Sequence, residues 1–264
     1  MPVRDSTRAL PSRRTVGVLG GMGPAASAHF CLRLAQSTAA ERDQDHLHVL
    51  LDSDPSVPDR TAFLLGRGED PAPSLIATAG RLVRAGADLL VMACNSASPF
   101  TSQVAAAVPV AVVDWAAEAV RALVDEGAPP SVTGVLCTDG TAKAGVYQRR
   151  LAERGITALF PGEADQAQVT AAIYAVKAGH ADLAEERTQV VAAARGLVAR
   201  GADSLLIACT ELSLMFSAGA NWPAPATDAM DAVAVRTVAR AGGALRARDP
   251  GHRARTHASR GGHA

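Results

Sequence analysis

Two cysteines, Cys94 and Cys209, are the side chains here best placed for chemistry, because each closes one copy of a repeated segment. Residues 82–95 read LVRAGADLLVMACN and residues 197–210 read LVARGADSLLIACT, an offset of 115. The pairs Leu82/Leu197, Val83/Val198, Gly86/Gly201, Ala87/Ala202, Asp88/Asp203, Leu90/Leu205, Ala93/Ala208 and Cys94/Cys209 are identical. A thiolate accepts a proton and a thiol donates one. Two thiols brought to equivalent positions by a duplication can face one site. Together they can take a proton from one face of a carbon and return it to the other.

The elements that must position them follow from the same repeat. Each copy runs from an amphipathic helix through a glycine turn into an apolar strand that ends at the cysteine. GVLGGMG at 17–23 pairs with GVLCTDG at 134–140, and VPVAVVD before Trp115 pairs with WPAPATD at 222–228. A period above 100 residues means two similar domains, since solenoid repeats are much shorter. Short apolar runs alternating with helical patterns read as α/β with parallel strands. Strands are expected near 15–19, 47–52, 88–93, 109–113, 132–137, 156–160, 203–208 and 224–227. Helices are expected near 24–39, 71–86, 98–107, 115–126, 142–154, 165–179, 182–200 and 228–246. The expected fold is thus two pseudo-twofold-related domains, each a four-stranded parallel sheet flanked by helices. The N-terminal domain takes 15–114 plus about 228–246, and the C-terminal domain 115–227. Ligands of such sheets bind beyond the carboxyl ends of the strands, where both cysteines fall.

Other residues invite chemical readings. Gly21-x-Gly23-x-x-Ala26 is a variant of the dinucleotide fingerprint, with Pro24 opening a helix and Asp52 ending the next strand. That fingerprint leaves the duplicated cysteines unexplained. His46 and His48 ahead of Asp52 and Asp54 suggest a metal, but a polar strand entrance explains them equally well. No CxxC and no second ligand accompanies either repeated cysteine, so no metal is expected. Cys31 and Cys137 read as small apolar core residues. Arg60 and Lys177 gain interest as partners for carboxylates, Arg as a bidentate clamp and Lys as a point charge.

Composition narrows the class. Hydrophobic residues make up 48% of the 264, enough for substantial cores, while aromatics are only 3%, which argues against a base-stacking nucleic-acid platform. No apolar run reaches the roughly 18–20 residues that span a bilayer. The N-terminus has charge but no apolar core segment, so a secretory signal is not expected. Four dispersed cysteines fit a reducing cytoplasm. Net charge is zero, yet residues 1–14 carry +3 and residues 246–264 carry +4, leaving about −7 between them. Residues 1–14 and 247–264 are expected to be flexible basic tails.

Several segments together resemble the aspartate/glutamate racemase family, whose members do not use pyridoxal phosphate, and the aspartate racemase branch in particular. They are LGGMGP (19–24), VPDRT (57–61), ACNSA (93–97), CTDGT (137–141), IYAVKAG (173–179) and ACTELS (208–213). The resemblance covers about residues 15–240. It implies a cleft between two α/β domains with Cys94 and Cys209 as catalytic bases and no cofactor. It implies that Arg60 and Lys177 recognise the carboxylates of a small dicarboxylate amino acid. Gly21, Met22, Asn95, Ser96, Thr138, Thr141 and Thr210 match positions lining that cleft. A homodimer is implied as well, while the composition leads us to expect a cytoplasmic protein that binds neither nucleic acid nor membrane. The chain departs from the family pattern at Ala93 and Ser98, where Pro and His are usual, and at Asp139, where Thr is usual. Such departures leave room for a related cysteine-pair isomerase or decarboxylase acting on another small dicarboxylate.

Overall fold

The computed structural model describes residues 13–125 and 129–247. The expected basic tails lie almost wholly outside the described residues. Element order is β1 (Val16–Gly20), α1 (Pro24–Ser37), β2 (Val49–Ser53), α2 (Arg60–Leu64), α3 (Ala72–Arg84), β3 (Leu89–Met92), α4 (Thr101–Ala107), β4 (Ala111–Val113) and α5 (Trp115–Asp125). The second half continues with β5 (Val132–Leu136), α6 (Asp139–Lys143), α7 (Val146–Ala152), β6 (Thr157–Leu159), α8 (Glu163–Lys177), α9 (Ala184–Ala199), β7 (Ser204–Ile207), α10 (Thr210–Met215), β8 (Ala226–Asp228) and α11 (Ala229–Arg240). Two four-stranded sheets result, ordered β2-β1-β3-β4 and β6-β5-β7-β8. Every pairing is parallel, so the halves share one topology.

The repeat explains its own residues. Asp88 accepts a hydrogen bond from the Thr15 amide and Asp203 from the Ser131 amide, so each pins the entry of its central strand. Gly86 and Gly201 turn the helix into the strand with φ of 99° and 102°, a conformation that L side chains rarely adopt. Gly17 and Gly134 lie under Leu82 and Leu197, where a Cβ would come within 3.2 Å and 3.1 Å of the leucine Cβ.

Alternation along the strands sorts side chains into three cores. Val16, Val18, Leu89 and Val91 of the first sheet meet Val135 and Leu206 of the second, with α1, α5, α7 and α11 contributing Phe30, Trp115, Tyr147 and Met230 to this shared layer. Leu90, Met92 and Cys94 point the other way, to the layer under α3 and α4. Leu205, Ile207 and Cys209 do the same under α8 and α9. The two cysteines thus occupy equivalent outer faces of equivalent strands.

The structure corrects several helix expectations. The stretch 98–107 begins earlier, as a 3-10 turn at Asn95–Phe100, and becomes α-helical only from Thr101, just beyond Pro99. The helix expected over 142–154 is two, α6 and α7, separated by a turn at Ala144 and Gly145. The last helix ends at Arg240 rather than 246. Two short helices lie where none was expected. The first is α2, capped by Asp59 through the Ala62 amide at 2.8 Å; the second is α10, which starts directly after Cys209.

Candidate active site

Cys94 and Cys209 each sit two residues past their strand and directly before a helical turn, with extended backbone at φ −161° and −152°. Both are buried, at 3% and 5% exposure. Around them gather Asn95, Ser96, Arg60, Thr61, Thr138, Thr141, Thr210 and Glu211, all buried and all in the loops or the first helical turns that follow the carboxyl ends of strands.

Glu211, which is not among the residues expected from the sequence, organises the second half of the site. Its Oε1 accepts from Lys177 Nζ at 2.7 Å and from the Gly23 amide at 3.1 Å. Its Oε2 accepts from Cys209 Sγ at 3.2 Å and from Thr210 Oγ1 at 3.1 Å. A carboxylate two residues after the repeated cysteine, where the first copy has Ser96, was the available signal. Cys209 keeps its proton: burial first, then the Glu211 charge, raise its pKa well above the ordinary thiol value, against the opposing pull of Lys177. Lys177 holds its own proton more firmly than usual. Burial alone would loosen it, but Glu211, then Cys94 and Cys209, outweigh burial. One ammonium therefore feels both thiols.

Arg60 and Lys177 converge on one atom. Arg60 Nη2 and Lys177 Nζ each donate to the Met22 carbonyl at 2.8 Å. Arg60 Nη1 donates to the carbonyls of Val57 at 3.1 Å and Pro58 at 2.9 Å. Its Nε is buried and meets no protein partner. The guanidinium thus braces the loop after β1 against the segment before α2.

Side chains from both halves interlock beside this cluster. Thr61 Oγ1 donates to Thr138 Oγ1 at 3.0 Å, and Thr138 shares a hydrogen bond with Thr141 at 3.0 Å. Tyr147 of α7 donates its hydroxyl to Oδ1 of Asn95. Tyr174 of α8 donates to Asp59 Oδ2 at 3.0 Å, and Lys177 extends from the same helix to Met22. Asp139 accepts from the Gly140 amide at 2.9 Å. Ser98 presents a buried hydroxyl without a protein partner.

Other sequence candidates fall elsewhere. Asp52 and Asp54 both pair with Arg81, at 2.7 and 2.8 Å. The glycine-loop amides are engaged internally, Gly21 by Ser27 Oγ and Gly23 by Glu211. That arrangement does not leave the loop free for a pyrophosphate. No metal-ligand cluster occurs among the described residues, and no helix among them is long and apolar enough to cross a membrane. Cys137 is buried, and its thiol is pushed up by burial and then by Asp139.

The profile described as Asp/Glu/Hydantoin racemase matches residues 19–237. The chain belongs to that family. It is 25% identical over 209 residues to the broad specificity amino-acid racemase RacX of Bacillus subtilis (strain 168), covering 75% of this chain and 86% of that protein. An uncharacterized protein of Pectobacterium carotovorum subsp. carotovorum is 37% identical over 82 residues, a match spanning 31% of this chain and about half, 53%, of that relative. Among solved structures, the aspartate racemase of Picrophilus torridus superposes with a TM-score of 0.76 at 28% identity, over 88% of this chain and 96% of that one. Glutamate racemase from Francisella tularensis subsp. tularensis SCHU S4, in complex with D-glutamate, shares the fold with a TM-score of 0.58 at 16% identity, over 87% and 81%.

Proposed function

We propose that this family member is a cofactor-independent racemase that interconverts L- and D-aspartate, using Cys94 and Cys209 as opposed bases. The observation that carries the proposal is the placement of two repeat-equivalent, buried cysteines at matching strand ends, with Cys209 joined through Glu211 to Lys177. One cysteine, as thiolate, removes the Cα proton. The other, as thiol, delivers a proton to the opposite face, and the product is the mirror image with no net change in oxidation state. Cys209, held as a thiol by burial and Glu211, is the donor in the resting form. The roles exchange for the other enantiomer.

The carbanion is the costly species, since no electron sink withdraws its charge. Preorganised donors beside the α-carboxylate must stabilise it in a buried site. Acid–base catalysis typically contributes about 10²–10⁴-fold, so positioning must supply much of the remainder. Substrate charge supports an acidic amino acid. Arg60 and Lys177 bring two cations to the Met22 carbonyl beside the thiols, and the carboxylates of an acidic amino acid are their complement. The likeness to an aspartate racemase at 28% identity supports the same choice. A homodimer belongs to the proposal, with sedimentation as its check.

The test is incubation of L- and D-aspartate and glutamate in D₂O, with chiral analysis and mass measurement at Cα. Inversion with one solvent deuteron entering, unaffected by chelators or added pyridoxal phosphate, is expected. Loss of inversion in both Cys94→Ser and Cys209→Ser is expected too. A single variant that still inverts aspartate at the wild-type rate would refute the two-base mechanism.

A further inference from the structure

Asn95 follows Cys94 and is 2% exposed, yet only one end of its amide is occupied. Oδ1 accepts from the Tyr147 hydroxyl, while Nδ2 is buried and meets no protein partner. A buried donor without an acceptor is costly unless a ligand supplies one. The two ends of a primary amide have opposite sense, so its orientation decides whether it offers a donor or an acceptor. Tyr147 is fully buried on α7, in the half opposite Asn95. Its phenol keeps its proton, because burial foremost raises its pKa well above the ordinary value.

We propose that Tyr147 is a positioning residue that locks the Asn95 amide from the second half, reserving Nδ2 as a hydrogen-bond donor for the substrate α-carboxylate. The proposal rests on the racemase reading above. Loss of the Cα proton pushes negative charge onto that carboxylate, so a fixed donor there gains strength in the transition state. With the amide reversed, an oxygen would face the carboxylate and repel it. Because the lock comes from the second half and the amide from the first, the donor is set only when the halves are apposed.

The experiment combines kinetics with a direct view of the amide. Tyr147→Phe keeps the ring and removes the hydroxyl. For aspartate racemisation, kcat is expected to fall about tenfold while KM changes less than about threefold. In an Asn95→Ala background the same change should alter kcat by less than about twofold, since the two residues act as one unit. Independent losses that simply multiply would overturn the proposal. The chain has two asparagines, Asn95 and Asn221. Asparagine-selective ¹⁵N labelling therefore gives two side-chain amide signals, and Asn95→Ala identifies the relevant one. Tyr147→Phe should shift that signal and speed its proton exchange; an undisturbed signal would overturn the lock. A wild type that inverts no amino acid would defeat the racemase reading, while the amide signal would still decide the lock.

Discussion

Cys209 Sγ lies 3.2 Å from Glu211 Oε2, and the carboxylate's other oxygen is held by Lys177 at 2.7 Å. Thiol, carboxylate and ammonium form one chain, buried at its thiol and carboxylate, in which burial and then a negative neighbour hold the proton on Cys209. The sign follows from electrostatics: an anion beside a thiol disfavours the thiolate.

Replacement of that anion should release the proton more readily. In Glu211→Gln the neighbouring charge is gone and the shape retained, so the Cys209 pKa should fall. Alkylation of Cys209 across pH, read by mass spectrometry of its peptide, should show a midpoint at lower pH than in wild type. An unmoved midpoint would leave burial alone as the cause.

Apposition of the halves should be sensitive at Gly140. A Cβ there would lie 2.8 Å from Thr61 Cα and 2.9 Å from Thr61 O, which are backbone atoms that cannot step aside cheaply. Gly140→Ala should therefore lower stability by roughly 1–3 kcal/mol and raise KM. Thermal unfolding and steady-state kinetics check this. Wild-type values in both would mean slack between α2 and α6.

Arg60 should matter to the fold as well as to substrate. Its guanidinium holds the carbonyls of Met22, Val57 and Pro58. Arg60→Ala should cost about 2–4 kcal/mol of unfolding free energy, the range for breaking buried hydrogen bonds to a charged group, together with activity. Full stability with lost activity, measured by denaturant titration, would return Arg60 to a role in substrate recognition alone.

Asp228 should penalise the fold as pH rises. It caps α11, accepting from the Met230 amide and from Ser213 Oγ, each at 2.7 Å. Burial, then the Asp231 charge, raise its pKa from 3.8 to about 7. A carboxyl whose folded pKa is raised binds its proton more tightly when folded, so stability falls as pH climbs from about 4 to about 7. Asn caps equally well without the charge. The melting temperature of Asp228→Asn should therefore rise relative to wild type across that interval and stay ahead at pH 8. A constant difference would place the raised pKa elsewhere.

Much of the architecture was legible in the chain itself. The repeat carried its own strand, turn and helix signals, and all eight strands fall within a few residues of their expected places. The duplicated apolar runs placed Cys94 and Cys209 at matched strand ends, because duplicated local patterns produce duplicated local structure. The short helices α2 and α10 escaped notice, since five or six residues are too few to display a 3.6-residue period. Local signals also carried nothing about partners. Glu211 meets Gly23 across 188 residues, Lys177 meets Met22 across 155, and Tyr147 meets Asn95 across 52. Those meetings depend on how two independently encoded sheets pack about the shared layer of α1, α5, α7 and α11. Composition and spacing determined that two thiols stand at equivalent strand ends. Only the tertiary packing decided which carboxylate holds one thiol's proton, which carbonyl engages both cations and which phenol orients the amide. Hydrogen bonds act over about 3 Å, and only the apposed halves bring those groups that close.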